Sequence, residues 1–264
     1  MPVSPSPHDA YFEFMDIIIP DWTDAPAGIG AMTTLRRGGV SRAPYDDGSG
    51  AGGLNLGAHV GDLPQHVEQN RLLVQALLPA RPAWLSQIHG TTVVDAAGAM
   101  DTPQADASIA TRRGAVCAIQ TADCLPVLFC DTAGTIVGAA HAGWRGLAGG
   151  VLQNTIAGMR DAGADEILAW LGPAIGPQRF EVGEDVLNAF AAVDVKTGAA
   201  FAPVAGRPGK YLADIYRLAR MMLAKVDVQR VYGGGLCTMT DDRRFYSYRR
   251  DKVTGRMASL IWIK

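Results

Sequence analysis

The chain has 264 residues, of which 48% are hydrophobic and 19% are charged, a composition typical of a globular protein with a sizeable core. Lys and Arg total 24 against 26 Asp and Glu, so the formal net charge is −2. No segment concentrates enough basic residues to predict a nucleic-acid partner. The longest apolar runs fall well short of the roughly 18 residues that a membrane-spanning helix needs. A disordered, fibrous or membrane-spanning protein is therefore not expected.

The N-terminal residues do not resemble an export signal. Residues 1–14 are rich in Pro and Ser and lack a basic segment followed by an apolar core, so we predict a flexible N-terminal leader. A cytoplasmic location is therefore expected, where the four cysteines would stay as reduced thiols. Residues 15–264 contain no repeat of fixed period and no Pro- or Ser-rich linker, which predicts a single mixed domain of helices and strands.

Hydrophobic periodicity predicts the elements of this domain. Apolar residues at helical spacing predict a first helix over 65–78, which Pro79 ends. Short apolar runs predict three adjacent buried strands over 115–120, 125–130 and 135–140. Leu147, Val151, Thr155 and Met159 recur every four positions, which predicts one helix directly after the turn 141–145. Further strands are predicted over 167–171, 228–232 and 256–263, and further helices over 184–193 and 212–226.

The five histidines differ in their sequence surroundings. His8 lies in the leader and His66 opens a surface helix, so both are expected to be solvated polar residues. His59 lies among turn glycines, where an imidazole that bonds the backbone is more common than a ligand. His89 and His141 each follow an apolar run and precede a glycine closely. Strand ends that lead into tight turns commonly display functional side chains.

Cys124 opens the predicted strand 125–130, next to the polar Asp123. Two imidazoles and one thiol at the rims of neighbouring strands would form a zinc site with a fourth tetrahedral position open for catalysis. The separations lack the short pairing of strong zinc motifs, and a cysteine is more often inert core, as we expect for Cys117 and Cys130. Asp123 would share the site only if the chain bulges there, since neighbouring strand residues face opposite sides.

A second candidate group consists of arginines, each of which is most often a surface charge. Arg145 stands out because it follows His141 by four residues, in a glycine-bounded turn at the start of a helix. Backbone N–H groups and the helix dipole favour an anion there, which predicts a phosphate near the metal. Arg36 and Arg249 are candidate helpers. Asn55 is a candidate sugar or base contact, with a turn-forming asparagine as the alternative.

Seven motifs occur in one order that resembles the YfiH-like family, which has been called laccase-domain or multicopper polyphenol oxidase and also purine nucleoside phosphorylase. The resemblance runs from about Ile29 to Lys264. The motifs cover residues 34–41, 54–57 with 59–62, 87–90, 121–127, 141–146, 171–177 and 245–251. Departures from the family pattern are Gln178-Arg179, where a Cys pair is expected, and a long 46–53 stretch.

The resemblance implies an α+β fold, a four-layer α-β-β-α sandwich with mixed sheets in a single domain. It implies that His89, Cys124 and His141 are the zinc ligands. It also implies phosphorolysis of adenosine, inosine and methylthioadenosine, together with adenosine deamination. A purine nucleoside and phosphate are thus the expected partners, with no nucleic acid and no membrane.

The main hypothesis is a zinc enzyme with Cys124, His141 and Arg145 as catalytic residues and with Arg36, Asn55, Arg145 and Arg249 as substrate-binding residues. The first alternative is a cysteine nucleophile, Cys124 activated by histidine, in an amidase that acts on a cell-wall precursor. A non-catalytic zinc module is the second. A copper laccase mechanism is rejected because a coupled multicopper cluster needs more than five histidines, although adventitious copper could support a polyphenol oxidase side activity.

Overall fold

Two mixed β-sheets form the centre of the structure, a computed structural model that describes residues 15–99 and 101–264. The strands of the first sheet are β1 (Ile17–Ile18), β2 (Ile29–Thr34), β4 (Pro82–Ala83), β7 (Val116–Thr121) and β15 (Met257–Ile263). Their order is β1-β2-β15-β7-β4, and only β4 and β7 are parallel. The predicted leader over 1–14 lies outside the described residues.

The second sheet has six strands, and its central members are buried along their full length. The strands are β5 (Val93–Asp95), β6 (Ala107–Ala110), β8 (Leu125–Asp131), β9 (Val137–Ala142), β10 (Ile167–Leu171) and β14 (Arg230–Gly233). Their order is β14-β10-β8-β9-β6-β5, with parallel pairs at the two edges and antiparallel pairs between. Continuous burial explains why β8 and β9 are almost entirely apolar and do not alternate between apolar and polar residues.

Shorter strands and the helices surround these sheets. The shorter strands are β3 (Arg37–Ser41), β11 (Glu181–Gly183), β12 (Phe201–Pro203) and β13 (Lys210–Ala213). The last three form a small antiparallel sheet with the order β11-β13-β12, and both ends of β3 form isolated bridges to Gly53. The α-helices are α1 (Pro64–Gln75), α2 (Trp144–Gly149), α3 (Val151–Asp161), α4 (Glu184–Val193), α5 (Ile215–Ala224) and α6 (Tyr248–Asp251), and 3-10 helices cover Ala96–Gly98 and Val195–Ala200. No helix of residues 15–99 and 101–264 combines the length and apolarity that a membrane crossing requires.

Three of the apolar clusters show how the sheets and helices pack together. One joins the second sheet to helices α2 to α5, through residues such as Phe129, Leu152 and Phe190. The next joins the two sheets face to face, through residues such as Ile119 and Leu168. The last joins the other side of the first sheet to α1 and the loops beside it. The α+β domain with mixed sheets is thus confirmed, and the four-layer order stays a prediction that these clusters support.

Two predicted helices differ from those in the structure. The single helix after the turn 141–145 is wrong, because Gly150 has a left-handed φ of 99° and separates α2 from α3. The helix predicted over 212–226 is shorter, because Asp214 caps its N-terminus by accepting a hydrogen bond from the Arg217 N–H at 3.0 Å. The strands predicted over 115–120, 125–130 and 167–171 and the helix over 184–193 are confirmed within one residue at each end. The predicted adjacency of the first three strands is wrong for 115–120, because β7 belongs to the first sheet while β8 and β9 pair in the second.

Candidate metal centre

The fold brings His89, Cys124 and His141 together. Their ligand atoms all lie within 4.8 Å of one another, and Cys124 Sγ is 3.8 Å from His89 Nε2. The two imidazole rings meet edge to face with centroids 4.8 Å apart. Within residues 15–99 and 101–264, this is the only group of three or more His, Cys, Asp or Glu side chains with such geometry.

Strand pairing explains why Cys124 and His141 are neighbours. Cys124 directly precedes β8, and His141 lies near the end of β9, the antiparallel neighbour of β8. The register aligns Leu125 with Ala142, so the two ligands reach the same rim of the second sheet. The sequence-based expectation of neighbouring strands is confirmed for this pair.

His89 reaches the site from a turn rather than from a strand. The apolar run before it forms only the short β4 and an isolated bridge between Ser86 and Gln104. His89 itself has a positive φ of 61°, a strained conformation for a residue with a side chain. Such strain persists only where the surroundings hold the residue in place.

Asp106 holds this turn. Its carboxylate accepts the backbone N–H groups of Ile88, His89 and Gly90 at 3.1, 2.9 and 2.7 Å. Asp106 Oδ1 also lies 2.8 Å from His141 Nδ1. Both side chains are almost completely buried. One carboxylate therefore fixes the turn that carries His89 and the ring orientation of His141.

Charge in the site is set by close contacts. Burial alone would raise the pKa of Asp106, but the hydrogen bonds from His141 and Gly90 outweigh it and lower that pKa, which keeps the carboxylate ionised. With Nδ1 of His141 donating to Asp106, Nε2 of that ring is directed to the other ligands. This is the carboxylate–histidine arrangement that accompanies metal-binding imidazoles.

The thiol of Cys124 is acidified by the two histidines. Burial opposes ionisation, yet the charge of His141 and the hydrogen bonds of both imidazoles lower the pKa of Cys124 to about 6. The pKa of His141 is raised to about 9, because the Cys124 thiolate and Asp106 outweigh its burial. At neutral pH the thiolate form predominates, which is the form that binds metals and attacks electrophiles.

Two further residues shape the approach to Cys124. A Cβ at Gly143 would lie 2.8 Å from His89 Cδ2 and 3.1 Å from Cys124 Sγ, so only glycine fits there. Asp123 has a φ of 96°, and its carboxylate accepts Thr238 Oγ1–H and the Arg249 N–H, each at 2.6 Å. Asp123 therefore anchors the loop that carries Cys124 to the segment before α6.

The three ligands line one side of a cavity of about 280 Å³. The volume is close to the lower end of the roughly 300–1,000 Å³ range that is usual for small-molecule sites. Its wall combines polar amides, an aromatic ring and one arginine. The lining residues are His59, Gln87, His89, Gln120, Thr121, Ala122, Cys124, His141, Tyr248 and Arg256.

Other residues that the sequence singled out lie elsewhere. The Arg36 guanidinium is buried and donates to the carbonyls of Asp46 and Asp242. Arg145 is exposed and stacks on Trp144, with its guanidinium carbon 4.3 Å from the ring centroid. Neither is among the residues that line the cavity.

Arg249 and Asn55 are also engaged within the fold. Arg249 donates through Nη1 to the Glu181 carbonyl at 2.9 Å. Asn55 is fully buried; its Oδ1 accepts the N–H groups of Gly57 and Arg256, and its Nδ2 donates to Asp62. Neither Arg249 nor Asn55 lines the cavity, and the bonds of Asn55 favour the turn-forming alternative.

Two of the other cysteines behave as their surroundings suggest, whereas two histidines differ from expectation. Cys117 and Cys130 are fully buried, and burial raises the pKa of each thiol to about 12, so both are inert core residues as predicted. His66 lies on α1 but is not fully solvated as predicted, because its side chain is only 20% exposed and packs beside Asp62. His59, for which a backbone bond was the more common expectation, lines the cavity.

Sequence reasoning missed several residues of this site. Gln87, Gln120 and Arg256 come from three separate segments that meet only through the pairing of β4, β7 and β15. Asp106 directly precedes β6 and reaches the ligands through the second sheet. The Gln-Ile-His-Gly motif already contained Gln87, and this was the one local signal available. Nothing near Asp106 in the sequence marks it as different from other acidic residues.

The fold and the His-Cys-His group define an α+β protein with a candidate metal centre at the rim of a mixed sheet. The chain belongs to the multi-copper polyphenol oxidoreductase laccase family, whose model matches residues 30–264. This confirms the family resemblance inferred from the seven motifs.

Curated relatives match over nearly the whole chain. The chain is 54% identical over 250 residues to the Escherichia coli protein named purine nucleoside phosphorylase YfiH, which covers 94% of this chain and 98% of that protein. A Streptomyces coelicolor protein, also named purine nucleoside phosphorylase, is 38% identical over 87% of this chain and 93% of its own length.

Solved structures share the fold. A crystal structure of a Neisseria meningitidis protein superposes with a TM-score of 0.87 at 51% identity and covers 94% of this chain and 99% of that chain. YlmD from Geobacillus stearothermophilus superposes with a TM-score of 0.76 at 30% identity, covering 90% of this chain and 93% of that chain. The α+β architecture is therefore common to the family.

Proposed function

We propose that this protein is a zinc-dependent purine nucleoside phosphorylase that acts on adenosine, inosine and methylthioadenosine. The observation that carries the proposal is the His89-Cys124-His141 group on the wall of a cavity sized for a small molecule. Relatives that match 94% of this chain and are named purine nucleoside phosphorylase support it.

Zinc suits this donor set. Two imidazole nitrogens and one thiolate are ligands that zinc accepts readily, and its bonds of about 2.0 and 2.3 Å place neighbouring tetrahedral ligand atoms roughly 3.5 Å apart. The 3.8 Å between Cys124 Sγ and His89 Nε2 is close to that spacing. His89, Cys124 and His141 would hold the ion with three protein ligands, the number that catalytic zinc sites use. When bound, zinc would supply a Lewis acid that polarises an oxygen or nitrogen of the substrate.

Phosphorolysis balances without a further reactant. An oxygen of hydrogen phosphate forms a bond to C1′ of the ribose while the bond from C1′ to the purine nitrogen breaks. The electron pair of that bond stays with the purine, which gains the proton that the phosphate loses. The products are the free base and a ribose 1-phosphate, and the protein contributes mainly position and charge.

The cavity wall offers fixed polar groups for such a substrate. The Gln87 amide donates to the Gln120 carbonyl and accepts the Gln120 N–H, both at 2.8 Å, and the Gln120 amide donates to the Leu56 carbonyl at 3.2 Å. These bonds hold the amides before any substrate arrives. Preorganised polar groups of this kind orient a small molecule at low entropic cost.

Product analysis tests the proposal. Zinc-loaded protein is incubated with adenosine, with and without phosphate, and the products are separated; inosine and methylthioadenosine are then tested in the same way. Adenine and ribose 1-phosphate that appear only with phosphate support phosphorolysis, and inosine supports the additional adenosine deaminase activity that the family resemblance implies. No turnover of adenosine, inosine or methylthioadenosine would refute the proposed function.

A second candidate is favoured by the acidified thiol. A Cys124 thiolate beside His141 is the pairing used by cysteine nucleophiles, so an amidase acting on a cell-wall precursor remains the alternative. Activity that survives complete metal removal and is lost on thiol alkylation would favour the amidase. Activity that a chelator abolishes and zinc restores would favour the phosphorylase.

A copper-dependent oxidase activity, which the family description suggests, has the least support from the residues of this chain. The chain has five histidines, and a coupled multicopper cluster needs a larger set. Copper bound adventitiously in place of zinc would support a polyphenol oxidase side activity at most.

A further inference from the structure

One cation lines the cavity beside the candidate metal ligands. Arg256 is half-buried on the cavity wall. Its Nη1 donates to the Thr254 and Gly255 carbonyls, both at 3.0 Å, while Nε and Nη2 have no hydrogen-bond partner among residues 15–99 and 101–264. No carboxylate of those described ranges forms an ion pair with it.

Such a guanidinium differs from the other candidate arginines. A cation withdrawn from water is normally paired, because desolvation of an unpaired charge is costly. Arg36 and Arg249 bond to carbonyls outside the cavity, and Arg145 is exposed on Trp144. Arg256 is therefore the arginine that lines the cavity with the candidate metal ligands, and two of its donor groups have no partner among residues 15–99 and 101–264.

Hydrogen bonds to the backbone N–H and to the backbone carbonyl of Arg256 fix the position of this residue. The Arg256 N–H donates to Asn55 Oδ1 at 2.9 Å, and the Arg256 carbonyl accepts the Leu56 N–H at 3.1 Å. A Cβ at Gly57 would lie 2.7 Å from Arg256 Cγ, so the glycine leaves room for the arginine side chain. The Asn-Leu-Gly segment thus serves as a support for this one side chain.

We propose that Arg256 binds the phosphate co-substrate in the cavity and that Asn55 and Gly57 are its positioning residues. The inference rests on the proposed phosphorylase function and replaces Arg145 as the phosphate-binding residue. A planar guanidinium with two free donors matches the oxygens of phosphate in a bidentate arrangement. From the cavity wall, it would hold the phosphate oxygen toward the ribose while neutralising its charge.

The test separates phosphate binding from turnover. Wild type, Arg256→Gln, Arg256→Lys, Gly57→Ala and Arg145→Gln are prepared with zinc. Arg113→Gln, at an exposed arginine outside the cavity, is the control. Inorganic phosphate is titrated into each protein by calorimetry without nucleoside, and zinc content is measured. The KM for phosphate and kcat are then determined with adenosine.

We expect Arg256→Gln to weaken phosphate binding and raise the KM for phosphate about 10–100-fold, as for the loss of a charge-assisted bond, with zinc content unchanged. Arg256→Lys should recover part of the affinity. Gly57→Ala, which keeps the charge but displaces the side chain, should also raise the KM for phosphate. Arg113→Gln should match wild type.

Several results would overturn the inference. One is a phosphate affinity that is unchanged in Arg256→Gln, and another is a KM for phosphate that rises in Arg145→Gln instead. Loss of zinc from Arg256→Lys, or no phosphate binding by the wild type, would also overturn it. If wild type turns over no nucleoside but binds phosphate through Arg256, the proposed function fails while the anion site stands. If Arg256→Gln does not fold, Arg256→Lys and Gly57→Ala decide by the same titration.

Discussion

The Asp106 carboxylate and the Nδ1 atom of His141 lie 2.8 Å apart, and both side chains are buried from solvent. The same carboxylate accepts the N–H of His89, whose positive φ it stabilises. One acidic residue therefore positions two of the three candidate ligands, although it contacts no metal position itself. This relationship leads to the first prediction.

Asp106→Asn should weaken zinc binding about 10–100-fold, because the amide cannot stabilise the imidazole or accept all three backbone N–H groups. Zinc affinity is measured by competition with a chelator. Asp131→Asn is the matched control, since Asp131 is also buried and accepts N–H groups in a turn far from the ligands. Both variants should lose about 1–3 kcal/mol of stability in urea, but only Asp106→Asn should lose zinc affinity. Equal zinc affinity in the two variants would refute the positioning role.

Gly143→Ala should disturb the ligand group directly. The added Cβ would lie 2.8 Å from His89 Cδ2 and 3.1 Å from Cys124 Sγ, so at least one ligand must move. Gly158→Ala is the control, because its Cβ would make only ordinary contacts at 3.6 and 3.9 Å within α3. The control should gain up to about 1 kcal/mol in helix stability. Zinc titration of both variants checks the prediction, which fails if Gly143→Ala binds zinc as tightly as the control.

The thiol of Cys124 should ionise well below the usual pH. Its pKa of about 6 lies below its ordinary value, so in metal-free protein the alkylation rate of Cys124 should rise as pH increases through about 6 and then level off. Cys117 and Cys130, whose pKa values are about 12, should stay unreactive in the folded protein over the same range. Alkylation with iodoacetamide, followed by peptide mass spectrometry, resolves the individual thiols. A rate that rises only above pH 8 would contradict the prediction.

Cys124→Ala should affect zinc binding and activity, whereas Cys130→Ala should affect stability. Cys124→Ala removes a ligand and should abolish nucleoside turnover and most zinc binding. Cys130→Ala removes a core contact and should cost about 1–3 kcal/mol of stability while zinc binding is retained. Metal analysis and urea unfolding of the two proteins check this. Similar behaviour of the two variants would show that Cys124 has no special role.

The sequence alone identified the candidate ligands but not the residue that holds two of them in position. His89, Cys124 and His141 carry a local signal, because each polar ligand stands at one end of an apolar run. Asp106 carries none, since its contacts to Gly90 and His141 arise only when β6 lies beside β9. Local patterns cannot reveal a role that depends on strand order.

Arg145 and Arg256 illustrate the same limit for the cationic residues. Arg145 follows His141 by four residues, and this proximity along the chain suggested a place in the site. Its position on α2 directs it onto Trp144, outside the cavity. Arg256 is distant in sequence from every ligand, but β15 pairs with β7, which ends just before Cys124, and so Arg256 reaches the cavity. The backbone break at Gly150 was likewise invisible, because periodicity records side chains and not φ angles.

X-ray absorption at the zinc edge tests the central claim most directly. Protein loaded with one equivalent of zinc should show one sulfur ligand at about 2.3 Å and two imidazole nitrogens at about 2.0 Å. The sulfur contribution should vanish in Cys124→Ala and persist in Cys130→Ala. A zinc spectrum without sulfur, or one that Cys124→Ala leaves unchanged, would contradict the account.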